Sequence, residues 1–465
     1  MRLDAVQWSR IVSRFRLTIV HPCVGRRANM RKYIRTWKME PIPAAVIAGL
    51  TPPDVEKRFY DDRLEAIPYD EPTDLVAISV ETYTARRSYQ IASEFRKRGV
   101  PIVMGGFHAT LCPDEVRRYC ESIVIGEAEE IFPELIEDYR SGHPNRVYRA
   151  RERPKLDRLQ PDRSIFAGKR YLPIRLVEFG RGCKFVCDFC AIQSAFGATQ
   201  THRSIELVID EVQRVRRFGQ MIFFIDDNIT SDLEAAKELM RALVPLGIRW
   251  VSQSSINVAY DEEALALMRA SGCQGLLVGF ESLDRATLQT MNKGFNMMQG
   301  GPREAIANFQ RHGLRLYGTF VFGYDGDTAE TFEETLEFAK EQGLFIAAFN
   351  HITPFPGTPL YDRLRKEGRL IRDPWWLDER YRYNMIPFKP KNMSPEELAT
   401  RCVEVRQNFY GWKSIARRLG HRVNHRDPWM AANFLAINAM HQFDVAGRNG
   451  LPLGDETWQG SLIPA

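Results

Sequence analysis

Cys183, Cys187 and Cys190 stand in the run Gly-Arg-Gly-Cys-Lys-Phe-Val-Cys-Asp-Phe-Cys, three thiols within eight residues. A C-x3-C-x2-C spacing delivers three thiolates from one short loop. That is one fewer than the four cysteines that ordinarily close a [4Fe–4S] cluster. An iron without a protein ligand is an open coordination position, and open positions are where metal sites do chemistry. The competing readings are a zinc knuckle and three unrelated thiols. Zinc prefers two C-x2-C units or one unit with distant histidines, and no second pair is present.

Other runs end in polar groups. Phe223-Phe224-Ile225-Asp226-Asp227-Asn228 sets two carboxylates and an amide after an apolar stretch. They serve a ligand there, or Asn228 or Thr230 caps the next helix. Gly279-Phe280-Glu281-Ser282 and the pair Ser252-Gln253 close two further apolar runs. Nearer the N-terminus, Gly105-Gly106 and Gly126-Glu127 each follow such a run. Glycine there lets backbone approach a ligand or makes a tight turn, and position alone favours the turn.

The apolar runs describe the scaffold that must place these groups. Residues 1–150 alternate strands (17–20, 75–80, 102–104, 122–125) with helices (44–50, 88–97, 130–139), predicting a doubly wound α/β domain with its crevice at the strand carboxyl ends. Residues 151–172 are polar, charged and proline-bearing, as a linker should be. A second series follows, with strands at 174–179, 222–226, 250–254, 275–280, 314–323 and 346–353. The helices between them are read at 205–218, 233–243, 262–270, 302–311 and 331–342. Six βα units spanning 173–364 predict a partial TIM-like barrel, with the triplet on its carboxyl-end rim. The rhythm then stops, and 365–465 reads as a mostly helical region opening on Trp375, Trp376, Tyr381, Tyr383 and Phe388. Ser394-Pro395-Glu396-Glu397 predicts a capping box, and fraying is expected after Asn449.

Composition sets the remaining bounds. At 465 residues, 44% hydrophobic and 26% charged, the chain is a globular protein of two or three domains. A net charge of +5 is mild and does not call for nucleic acid. Arg417, Arg418, His421, Arg422, His425 and Arg426 fall close together; the ordinary meaning is a solvated face, and an anionic substrate or membrane surface is the alternative. No run approaches the roughly 18 apolar residues of a transmembrane helix. Arg10, Arg14 and Arg16 interrupt any signal-peptide core. Eight cysteines, three clustered and five scattered, do not form a disulfide framework, so a reducing cytoplasm is expected.

The triplet, with aromatic Phe189 before its last cysteine, resembles the signature of the radical S-adenosylmethionine (radical SAM) enzymes. The resemblance implies that Cys183, Cys187 and Cys190 hold a [4Fe–4S] cluster whose fourth iron takes SAM. One-electron reduction by an external reductant such as flavodoxin or ferredoxin then yields a 5′-deoxyadenosyl radical. It further implies that Asp226, Asp227, Ser252, Gln253, Glu281 and Ser282 hold SAM or substrate. Trp37-Lys38-Met39-Glu40-Pro41-Ile42-Pro43, Asp61-Asp62, Gly105-Gly106-Phe107-His108 and Gly126-Glu127-Ala128-Glu129 are similar to the cobalamin-binding domain of one radical SAM subfamily. That subfamily includes the anaerobic magnesium-protoporphyrin ester cyclase and the hopanoid and phosphinate methylases. Cobalamin is then expected near Thr82, Tyr83, Gly105, Gly106, Gly126 and Glu127. The Asp-x-His-x-x-Gly cobalt-ligating motif is absent, and His108 reads as a satisfied loop histidine. The implied reaction is cobalamin-dependent methylation of an unactivated carbon of a small molecule. Its alternatives are radical oxidation or ring closure, and a cofactor-binding sensor without turnover.

Overall fold

The computed structural model describes residues 14–28, 38–217 and 220–465. The segment bearing Arg10, together with Trp37 and Phe218, lies outside the described residues.

The N-terminal sheet has six parallel strands in the spatial order Glu56–Asp61, Arg16–His21, Leu75–Ser79, Ile102–Gly105, Ser122–Ile125 and Val147–Arg149. Alternation along each strand divides the core. Leu17, Ile19 and Ala77 pack with helices Ile42–Leu50 and Phe132–Ser141, while Val20, Val76 and Ile78 pack with helix Ala85–Arg96. Two strands were not predicted, Glu56–Asp61 and Val147–Arg149. Both are edges with a single neighbour. An edge strand does not need an apolar run, and Glu56–Asp61 buries only Phe59 and Asp61.

The second sheet is the expected six-stranded parallel array: Ile174–Val177, Met221–Phe224, Arg249–Ser254, Cys273–Glu281, Arg315–Phe322 and Ile346–His351, neighbours in chain order. Helices cover its outer face, where Phe280, Phe320 and Phe349 stack in a row. The opposite residues line the barrel interior. Residues 151–172 are not free: Asp162 pairs with Lys57, and Arg163 with Glu40 and Glu211.

The C-terminal region departs from expectation at both ends. Ser394 caps helix Pro395–Phe409 through the Glu397 N–H at 3.0 Å, but the Glu397 carboxylate pairs with Arg401 at 2.9 Å instead of turning back to complete the box. After helix Pro428–Arg448 the chain does not fray. Gly454–Asp455 pairs in parallel with Gly25–Arg26, and the Ile463 N–H donates to Ser93, because the N-terminal domain offers exposed strand and helix groups there. The aromatic passage fills the joint between the domains. Trp375 is fully buried and meets Tyr83, while Trp376 meets His108 and donates to Glu115. Among the described residues no helix is long and apolar enough to cross a membrane.

Removing this filler tests its role. Trp375→Ala should cost about 3–5 kcal/mol, as for other buried tryptophans, and lower the thermal midpoint seen by circular dichroism. An unchanged midpoint would show that the joint does not depend on it.

Candidate active site between the two domains

The first barrel strand runs into a short strand, Gly180–Gly182, which pairs antiparallel with Gln200–His202. The cysteine triplet and helix Ala191–Phe196 lie between these two strands. Only glycine fits the turn: at Gly182, with φ +94°, a Cβ would stand 2.3 Å from the Thr199 carbonyl oxygen. Cys187 is buried and its two partners are half-buried. Asn228 Nδ2 lies 3.6 Å from Cys183 Sγ, the N–H groups of Gln193 and Ile192 point to Cys190, and the Lys293 ammonium faces Cys187. The last two favour thiolate over thiol at Cys190 and Cys187. Burial pushes Cys187 up to about 12, so bound metal must displace its proton. Among the described residues no three His, Cys, Asp or Glu side chains are gathered for a single ion. Three cysteine sulfurs on one loop are the donor set of a cubane that takes one thiolate per corner and keeps one iron open.

The rim carboxylates are occupied with the loop itself. Asp226 accepts the N–H groups of Phe179 at 2.9 Å and Gly180 at 2.7 Å, and Asp227 accepts that of Gly182 at 2.7 Å. Desolvation pushes Asp226 far above the usual carboxylate range and Asp227 up to about 6, against the pull of these bonds. Neither Asn228 nor Thr230 caps the next helix; Asp232 does, while Asn228 accepts the N–H of Ser255 at 3.2 Å. Ser252 donates to the Phe224 carbonyl at 2.7 Å and Ser282 accepts the Asp284 N–H at 3.1 Å, so both hydroxyls serve the backbone. Gln253 remains on the barrel interior, partly exposed. Phe189 packs against the barrel core. Glu281 sits at a β-bulge with φ +65° and binds Lys293 at 2.6 Å. Lys293 was not predicted: it lies twelve residues beyond the strand, and only the fold returns it to the cysteines.

A cleft of about 300 Å³, open to solvent, separates the carboxyl ends of the N-terminal strands from Arg181, Ala195 and Phe196, which flank the cysteine triplet. It continues as a slot between the sheet face (Ile19, Ala77, Val103) and the helices (Ala44, Ile47, Phe132). Such a deep apolar slot beside a polar mouth fits a bulky cofactor with a long tail. Gly105, Gly106, Gly126, Glu127 and Asp227 line the cleft, as do His21 and Glu81, which were not predicted. Gly106 and Gly126 have φ +99° and +85°, which supports the turn reading. Desolvation beside the cleft pushes His21 down to about 4. Thr82 and Tyr83 are not among the lining residues. Thr82 bonds His108 Nδ1 at 3.2 Å, and Tyr83 is drawn into the aromatic joint, 3.2 Å from the Thr353 hydroxyl. His108 is fully buried and satisfied by Thr82 and Glu115.

Arg181 crosses the cleft floor. Its guanidinium binds Glu127 at 2.9 Å and Glu129 at 2.8 Å in the N-terminal domain, and Glu178 at 2.9 Å beside the cysteine loop. Arg153 adds a second bond to Glu127 and reaches Thr201 at 3.1 Å on the hairpin. The loop expected to hold the cluster and the loop expected at cobalamin are thus tied through two half-buried cations, Arg181 and Arg153.

Comparison with known proteins agrees with this arrangement. Residues 177–339 match the Radical SAM superfamily, 44–136 the B12 binding domain, and 358–446 a domain of unknown function, DUF4070. The chain is 30% identical over 390 residues to bacteriochlorophyllide d C-12(1)-methyltransferase of Chlorobaculum tepidum, covering 82% of this chain and 84% of that one. It is 26% identical to the hopanoid C-2 methylase of Rhodopseudomonas palustris, covering 72% and 66%. Its fold matches radical S-adenosylmethionine methyltransferase TsrM of Kitasatospora setae, solved with cobalamin and a [4Fe–4S] cluster, with TM-score 0.61, 18% identity and coverage of 83% and 81%. OxsB, solved with aqua-cobalamin and S-adenosylmethionine, matches with TM-score 0.66, 14% identity and coverage of 93% and 72%.

The loop geometry predicts how Asp226 and Gln253 differ. Asp226→Ala orphans two buried N–H groups, at about 1–3 kcal/mol each, and should lower both the thermal midpoint and the iron bound after anaerobic reconstitution. Gln253→Ala should leave both unchanged. Full iron loading of Asp226→Ala would refute the role assigned to that carboxylate.

Proposed function

The chain belongs to the radical SAM enzymes that carry an N-terminal B12-binding domain, and from that premise we propose that it methylates an unactivated carbon of a small-molecule substrate held in the interdomain cleft. The cleft carries the reading: the strand ends of one domain face Arg181, Ala195 and Phe196, the residues flanking the cysteine triplet of the other, across one space. The bound groups, a [4Fe–4S] cluster, S-adenosylmethionine and cobalamin, supply hydrogen-atom abstraction and a methyl group, while the protein orients and shields.

The residues have separable tasks. Cys183, Cys187 and Cys190 are the thiolate ligands, and Asn228, Lys293 and the first N–H groups of helix Ala191–Phe196 stabilise their charge. Asp226 and Asp227 hold the backbone from Phe179 to Gly182 that sets their positions. Glu281, fixed by Lys293 and 3.4 Å from the Thr319 hydroxyl, presents a carboxylate at the end of its barrel strand for S-adenosylmethionine. Gly105, Gly106, Gly126 and Glu127 form the edge against cobalamin, whose tail the apolar slot accepts. A one-electron donor of the flavodoxin or ferredoxin class supplies electrons, in a reducing compartment such as the cytoplasm.

Reconstituted anaerobically and reduced with dithionite, the protein should convert S-adenosylmethionine to 5′-deoxyadenosine. Cys187→Ala should lower this at least a hundredfold while the visible spectrum of bound cobalamin persists. A fully loaded wild-type cluster that yields no 5′-deoxyadenosine would sink the proposal. Cutting the tie between the loops should act differently. Glu129→Gln should preserve iron content and cobalamin binding yet raise the ratio of 5′-deoxyadenosine to S-adenosylhomocysteine severalfold, as the radical and methyl-donor sites lose register. An unchanged ratio would show that Arg181 and Glu129 are structural only.

A further inference from the structure

Helix Pro428–Arg448 is apolar on two sides. Its inner side buries Met430, Phe434 and Asn438, with Asn438 donating to the Phe345 carbonyl at 3.1 Å. Trp429 lies under Arg249 and Arg315 at the amino ends of two barrel strands. Its outer side carries Ala432, Leu435, Ala436, Met440 and Phe443, a single stripe at helical spacing. Leu435 and Met440 are each 43% exposed and Phe443 is 72% exposed. Between Pro428 and Phe443 the sequence contains no Asp, Glu, Lys or Arg. A surface helix normally presents charge to water, and this one presents hydrocarbon.

Helix Trp412–Leu419 runs antiparallel beside it. Arg418 lies over Phe434 and bonds Asn438 at 2.9 Å, while Tyr410 stacks on His441. With Arg418 turned inward, the outer side of this helix exposes Trp412 (59%), Lys413 and Arg417. From Val405 to Arg426 there is no acidic residue, and Lys413, Arg417, Arg422 and Arg426 are all exposed. Arg417 pairs with Glu337 at 3.2 Å and Arg426 lies 4.0 Å from Asp427, both pairs open to solvent.

We propose that this helix pair docks the protein on an anionic membrane surface, its stripe lying at the headgroup boundary and its cations meeting acidic lipid. Apolar side chains with Trp and Phe beside exposed Lys and Arg are the combination that binds such an interface. A second copy of the chain is the lesser fit, because an isologous pairing brings together two patches of the same positive charge. The pair covers the amino ends of the barrel strands, whereas the cleft opens at the carboxyl ends, so docking leaves the cleft free.

Sedimentation of the full-length reconstituted protein with vesicles tests this. The chain should cosediment with phosphatidylcholine vesicles containing phosphatidylglycerol, bind pure phosphatidylcholine at least tenfold more weakly, and be released by high salt. The double variant Leu435→Glu and Phe443→Glu should lose at least tenfold in vesicle binding. Its circular dichroism and 5′-deoxyadenosine formation should remain those of the parent, since both positions are exposed and far from the cleft. Absence of parent binding at low salt would overturn the proposal. So would analytical ultracentrifugation showing a parent dimer that the double variant dissociates, which would assign the stripe to a second copy.

Discussion

One half-buried guanidinium joins the two halves of the candidate active site. Arg181 stands two residues before Cys183 and spends its donors on Glu127, Glu129 and Glu178. Removing such a cation from water is costly, and three carboxylates at hydrogen-bond distance offset that cost only while the two domains keep this spacing. The interaction is therefore worth less as stability than as register. It converts the separation of two loops, one rich in cysteine and one glycine-bounded, into a fixed dimension of the cleft.

The rest of the structure protects that dimension. Aromatic packing of Tyr83, Trp375 and Trp376 closes the joint on one side of the cleft, and the C-terminal segment straps back onto the N-terminal domain through Gly454–Asp455. Small residues keep the cleft itself from filling. Ala44 and Ala77 line the slot at positions where larger side chains would complete the core. The domain thus gives up some of its own hydrophobic burial and leaves room for a guest.

Much of this was legible in order along the chain. Apolar runs marked every strand with two neighbours, because a strand covered on both sides must be apolar throughout. Glu56–Asp61 and Val147–Arg149 escaped because an edge strand has no such requirement. Glycine positions after strands were legible as turns, and Gly106 and Gly126 are turns. The polar rim was legible as a place and less so as a set of roles. Asp226, Ser252 and Ser282 all carry the donors and acceptors a ligand would want, yet their partners are backbone groups brought to them by folding.

By itself the sequence determined the two α/β units and the kind of chemistry, and it offered the three clustered cysteines as candidate ligands, because spacing within one loop and apolar periodicity are local properties. Tertiary structure alone decided which charges meet. Arg181 finds Glu127 across 54 residues, Lys293 finds Glu281 around a bulge, and Tyr83 leaves the cleft for an aromatic joint built from the far end of the chain. Side chains of these types occur throughout the sequence, and nothing local distinguishes the few whose burial forces them together.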